Sequence, residues 1–271
     1  MRTWRTAFAT CAVLLSTPAQ IPPLPDGAET HWEMDGINEI GVRMLFDPSA
    51  VADRLPPGLR FQTLQEIAPK AAPLQEYLAA HPEQAGYGIS VLEVTRQRLV
   101  IDGREPKWPQ DGASGLWFAK VTSTSLVNER ARGSADMFLF LLTLFPDRDY
   151  VEYMRRKGHY ATYGDARLRK DESGMWHGTI QSADLRVEGA CMPSTETLQK
   201  EGSGSQTLYP PRGEGDHFLI IAWSGHEDHE CNGKWTITGS HPLSKGVTIG
   251  SSIYACCFRL RGGGYRMEAA K

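Results

Sequence analysis

Chemistry-bearing side chains concentrate in two stretches of the chain. The first, Met154-Arg-Arg-Lys-Gly-His-Tyr-Ala-Thr-Tyr-Gly-Asp165, brings Lys157, His159 and Tyr160 close together. A lysine amine attacks ketones once its pKa is lowered. Arg155 and Arg156, beside Lys157, are cations of the kind that lower it. The plainer reading is a lysine in the last turn of a helix, which complements the helix dipole and faces water. His159 and Tyr160 follow the helix stop, where a loop presents a general acid well; a partly exposed loop histidine is the bland alternative. The second stretch, Gly225-His-Glu-Asp-His-Glu-Cys231, offers His226, His229 and Cys231 as nitrogen and sulfur ligands of the kind zinc accepts. It lacks the helical His-Glu-x-x-His arrangement and reads as a loop between strands. An exposed acidic hairpin is therefore favoured, with a disulfide or a free thiol at Cys231 both left open, and no metal is assigned.

A third feature is a lone carboxylate. In Ser90-Val-Leu-Glu-Val-Thr95 the alternation places Glu93 with Ile89 and Val91, while Leu92 and Val94 face the other way. Burying a carboxylate in an apolar strand is costly unless it is paired. Glu93 therefore either points into a cavity or makes a salt bridge on the sheet exterior. Glu105 is a weaker second carboxylate. There is no Gly-x-Ser-x-Gly turn. Gly262-Gly-Gly264 has no helix after it, so it reads as a flexible tail and not a phosphate loop. No cofactor is expected.

The elements that position these residues are mostly strands. Gly41–Phe46, Tyr87–Ile101, Gly115–Val121 and Asp136–Phe145 have strand character. Asp47-Pro48 opens a short helix, and two more short helices fit Leu64–His81 despite Pro69 and Pro73. Asp147–Lys157 is a helix capped by Asp147 and stopped by Gly158, with Tyr150, Met154 and Lys157 on one face. Strands follow at Ala166–Lys170, Met175–Ser182 and Asp184–Cys191. Glu201-Gly-Ser-Gly-Ser205 reads as a flexible connection, and strands return at His217–Trp223, Lys234–Thr238, Gly246–Ile249 and Ser252–Leu260. The expected fold is α+β, mainly β: a curled antiparallel sheet or cone-shaped barrel with a few short helices.

With 271 residues, 41% of them hydrophobic and 23% charged, the chain suits one globular domain, expected over residues 20–271. A net charge of −3, without a basic run, gives no electrostatic case for nucleic acid or an anionic membrane. Arg2 and Arg5, the apolar stretch Ala7–Leu15 and Thr17-Pro-Ala19 together read as a signal peptide over residues 1–19, too short to span a bilayer. The expected location is periplasmic or secreted. Cys191, Cys231, Cys256 and Cys257 then remain, an even number that an oxidising compartment would allow to pair.

Three blocks are similar to the acetoacetate decarboxylase superfamily. They are Val42–Leu59, with its Leu-Pro-Pro-Gly-Leu turn; the opening stretch followed by Gly178-Thr-Ile-Gln-Ser-Ala-Asp-Leu-Arg-Val187; and His241-Pro-Leu-Ser-Lys-Gly-Val247. The resemblance implies an antiparallel cone-shaped barrel with its active site inside. It also implies Schiff-base chemistry on a β-keto acid by one of two neighbouring lysines, whose amine is activated by a lowered pKa. Here the lysine pair is not matched: its positions fall on Ala161-Thr162-Tyr163, or on Tyr160-Ala161-Thr162 if the register shifts by one. Lys157 is the nearest substitute. The resemblance implies a cavity role for Glu93, whereas Arg43 lies near the family's arginine but in another register. Three readings of function remain. The first is a lyase-like protein acting on a small oxo acid or related carbonyl compound without the usual lysine. The second is a non-enzymatic barrel binding an apolar small molecule, with Trp117, Phe118, Trp176 and Trp223 as lining or simply as core. The third is a metal-dependent hydrolase. A small-molecule substrate or ligand is the expected partner, with no membrane span; assembly into a homo-oligomer is left open.

Overall fold

A computed structural model describes residues 31–55, 58–101, 103–123, 137–156, 159–209, 218–255 and 263–266. Their strands form one twelve-stranded sheet. In chain order these are β1 (His31–Phe46), β2 (Leu59–Phe61), β3 (Gly88–Ile101), β4 (Ser114–Ser123), β5 (Met137–Phe145), β6 (Ala161–Tyr163), β7 (Asp165–Lys170), β8 (Trp176–Gln181), β9 (Leu185–Tyr209), β10 (Phe218–Gly239), β11 (Val247–Ala255) and β12 (Gly263–Arg266). Among the described residues three short α-helices, α1 (Leu64–Ile67), α2 (Ala72–Ala80) and α3 (Arg148–Arg156), join them. Neighbours run β11-β10-β12-β1-β3-β4-β5-β9-β8-β7, with β11 also on β1 and β10 also on β9. The β5–β6 and β5–β9 pairs are parallel and the other pairs between named strands antiparallel. The expected curled, mainly β fold with a few short helices is present.

Strand alternation divides the chain's side chains between two faces. Ile40, Val42 and Met44 of β1, Leu92 and Val94 of β3, and Trp117 and Ala119 of β4 enter the main core. Ala166, Leu168, Ile180 and Val187 from β7, β8 and β9 pack onto them from across the curl. The two layers touch closely at Gly178, where a Cβ would lie 2.8 Å from Ile40 Cδ1, so a side chain there would push the layers apart. A disulfide between Cys191 of β9 and Cys231 of β10 lies within this core.

The opposite face is covered in two places. At one end of the strands, Leu45 and Ile89 pack under Leu64, Ile67 and Leu74 of α1 and α2. Across the strands, Leu116, Phe118 and Phe140 pack with Tyr150, Tyr153 and Met154 of α3. Asp147 fixes the start of α3: its Oδ1 accepts from the Asp149 and Tyr150 amides at 3.0 and 3.2 Å. The His159 amide donates to the Met154 carbonyl and ends the turn.

Several local expectations are corrected. The short helix expected at Asp47-Pro48 is present, with Asp47 as its cap, but as a 3-10 helix over Pro48–Arg54. Gly225–Cys231 is no hairpin loop but lies inside β10, paired with β9 and, at Asp228–Glu230, with β11. Glu201–Ser205 lies inside β9, and Gly263 and Gly264 begin β12. Acidic residues and glycines have low strand propensity, and here the ladders on either side override it. The leader at residues 1–30, Lys157, Cys256 and Cys257 lie outside the described residues.

Candidate functional site

Between the two covered regions lies a row of polar side chains. On β1, Glu39, Gly41 and Arg43 alternate with the core residues Ile40, Val42 and Met44, so all three point away from the main core. Register sets Glu39 opposite Thr95, Gly41 opposite Glu93 and Arg43 opposite Val91. Residues directly opposite share a face. Asp228 joins from β10: Glu39 and Asp228 both stand opposite Tyr254 of β11, one from each side.

Glu93, Glu39 and Asp228 are only 7%, 9% and 2% exposed. The Thr95 hydroxyl donates to Glu39 Oε2 at 2.9 Å, and the carboxyls of Glu39 and Glu93 are hydrogen-bonded to each other. A bond between two carboxyls requires a proton on one of them. Burial, then the charge of Glu39, raises Glu93 well above the usual carboxylate range. Burial raises Glu39 to about 7, opposed by the Thr95 and Glu93 hydrogen bonds. The pair therefore shares a proton that burial retains. Asp228 is raised to about 6 by burial, against the pull of Arg43 and His229. Arg43 also favours the ionised form of Glu93, so one guanidinium acts on two of the three carboxyl groups. Gly41 gives Glu93 its room: a Cβ there would lie 3.2 Å from Glu93 Cγ.

The other expected site residues fall elsewhere. His159 is buried, not partly exposed, where α3 runs into β6. The Tyr160 ring lies under the Arg54 guanidinium, 4.9 Å from its centre, and the Tyr160 carbonyl accepts from Thr143. Neither residue is joined to Glu93 by a described contact. Ala161-Thr162-Tyr163, which replaces the lysine pair, forms β6. Ala161 is buried and opposite Thr143, which is opposite Leu116, which is opposite Glu93. A methyl group therefore stands in the Glu93 row where the shifted register would require an amine. Thr162 is half-buried, and Tyr163 is exposed with Arg148 stacked on it. Glu105 is an exposed partner of Arg98 and no cavity carboxylate.

The zinc reading is not supported. Cys231 is held in the disulfide, and His229 contacts Glu227 Oε1 at 2.8 Å and the Ser194 carbonyl at 3.2 Å. Among the described residues, no three His, Cys, Asp or Glu side chains are placed to hold a metal. Of the aromatic residues, Trp117 is fully buried core, Trp176 packs against the main core, and Phe118 packs beneath α3. No helix among the described residues is long and apolar enough to cross a membrane.

Sequence reasoning singled out Glu93 and noted Arg43, but named neither Glu39 nor Asp228. For Glu39 a signal existed: the Glu39-Ile-Gly-Val-Arg-Met44 alternation begins two residues before the expected strand. For Asp228 none did, because its stretch reads as a loop.

This architecture is the acetoacetate decarboxylase-like fold. The chain is similar to acetoacetate decarboxylase from Legionella pneumophila, with a TM-score of 0.55 at 8% identity, over 100% of this chain and 98% of that one. An acetoacetate decarboxylase-like enzyme from Sphingomonas wittichii RW1 gives 0.51 at 10% identity, over 94% and 99%. The enduracididine biosynthesis enzyme MppR, complexed with pyruvate, gives 0.51 at 14% identity, over 92% and 97%. No protein-family model matches the chain, and no curated protein does.

Proposed function

We propose that the protein acts on a small carbonyl compound by acid–base chemistry at the Glu39–Glu93 pair, without an imine. The buried, hydrogen-bonded carboxyl pair carries this reading. Glu93 holds a proton that it can give to a carbonyl oxygen, and Glu39 can take a proton from the neighbouring carbon. The product of that step is the enol, and the proton count is unchanged: one leaves Glu93 and one arrives on Glu39. Burial favours the step because neither group is wastefully hydrated. Enolisation is the half-reaction shared by many lyases, so the reading is compatible with the fold of the similar enzymes. Ala161 in the Glu93 row is consistent with a lysine-free route.

The test is deuterium exchange into the methyl groups of acetone and pyruvate, followed by NMR. General acid–base groups are worth roughly 10²–10⁴-fold in rate. Exchange by the protein, cut at least 100-fold in Glu93→Gln and in Glu39→Gln, is expected. Exchange at an undiminished rate in either variant would sink the proposal. Borohydride with the same ketones is expected to leave no adduct; an adduct on Lys157 would restore the imine route.

The reading extends to export. The Arg2 to Ala19 segment has the order of a signal peptide, and the Cys191–Cys231 disulfide is of a kind that persists in oxidising compartments. Expression in a bacterial host with N-terminal sequencing decides it: a periplasmic chain beginning at Gln20 is expected, and an intact cytoplasmic chain would refute it.

A further inference from the structure

Resting on the acid–base reading of this site, we infer that its ligand is a cation, a small carbonyl compound bearing a primary ammonium group, and not an anionic oxo acid. Charge and geometry carry the inference. The groups that face one another are Glu39 and Arg43 from β1, Glu93 from β3, and Asp228 from β10. Glu230 and His229 act on Asp228 from its own strand, and His229 is itself held by Glu227. The neighbours from β4 and β5 in the Glu93 row, Leu116 and Thr143, carry no charge. Among the described residues the cluster is therefore three carboxyls to one guanidinium.

A second observation points to a missing donor. Among the described residues, Asp228 Oδ1 has no hydrogen-bond partner, and Asp228 is only 2% exposed. A buried acceptor left unsatisfied is costly, and a carboxylate more so. An ammonium group brings three donors and one positive charge. It would satisfy Asp228 and let the neighbouring carboxyls give up protons they otherwise keep. An oxo acid brings the opposite: its carboxylate would meet Asp228 and a carboxyl pair that carries one proton between two groups, and Arg43 is already shared between Glu93 and Asp228. The missing lysine fits this arrangement. Where the family resemblance implies an amine from the protein, the shifted register sets Ala161 in the Glu93 row, and the substrate would bring the amine.

Isothermal titration of the full chain with n-propylamine, pyruvate and acetone at pH 6 and pH 8 tests the inference. Propylamine is expected to bind at least tenfold more tightly than pyruvate at pH 8. Its affinity should rise about tenfold from pH 6 to pH 8, with protons released, as read from buffers of different ionisation heat. Asp228→Asn is expected to weaken propylamine at least tenfold while the protein stays folded by circular dichroism. Tighter binding of pyruvate, binding of neither compound, or propylamine affinity indifferent to pH or to Asp228→Asn overturns it. The two proposals fail separately: ketone exchange without amine binding removes the cation, and amine binding without exchange removes the acid–base reaction.

Discussion

Glu93 folds across Gly41 because β1 offers no side chain at that position, and this puts the carboxyl within reach of Glu39. Gly41→Ala sets two effects against each other. Removing a glycine from a strand gains about 0.5–1 kcal/mol through the unfolded chain. Pressing a methyl against Glu93 Cγ in a packed site costs about 1–3 kcal/mol. The clash wins, so thermal unfolding should come earlier, by about 1 kcal/mol of stability; a raised midpoint would show that Glu93 does not lie over this residue. Glu93 was legible because alternation alone assigns a strand residue to a face. Its surroundings were not, since pairing a carboxyl with Glu39 and Asp228 depends on which strands become neighbours.

At the scale of elements, irregularities in the ladders position the polar groups. The β4–β5 register shifts between Trp117 and Phe118 and leaves Leu141 as the extra residue on β5. Arg54, from the 3-10 turn after β1, donates to the Leu141 carbonyl and lies over Tyr160. On β10 the register with β9 shifts at Asp228/His229 and again between His229 and Cys231, and the disulfide to Cys191 follows at once. The bond closes a loop of sequence separation 40, and such bonds contribute about 2–4 kcal/mol. The double variant Cys191→Ser, Cys231→Ser should lose that much in denaturant unfolding. It should also weaken amine binding, because Asp228 loses its nearby covalent anchor. An unchanged midpoint would mean that the β9–β10 pairing is held by the main core alone. The sequence left this bond as one option among four cysteines, and the loop reading of Gly225–Cys231 hid the strand that makes it.

For the whole molecule, the buried titratable groups set an unusual dependence of stability on pH. Glu39 at about 7 and Asp228 at about 6 hold protons in the folded state that the unfolded chain releases near pH 4. Their destabilising effect is absent below pH 4, and stability falls as pH rises through the folded values. Each shift is worth on the order of 3 kcal/mol, and Glu93 acts in the same direction. His241 opposes them. Burial, then Arg54, lowers it to about 4, so stability rises with pH between about 4 and 6.5. One such group is outweighed by three, and the net course from pH 5 to pH 8 should be downward by a few kcal/mol. Urea titrations at pH 5 and pH 8 check this, with the slope reduced in Glu39→Gln, Glu93→Gln; greater stability at pH 8 than at pH 5 would contradict the buried carboxyls. Strand periodicity, helix caps and the face taken by Glu93 were determined by the sequence itself, because each depends on spacing within a few residues. So was the absence of lysine from Ala161-Thr162-Tyr163. Tertiary structure alone decided that Glu39, Arg43, Glu93 and Asp228 meet. That outcome depends on register and curl across strands far apart in the chain, and side-chain period constrains neither.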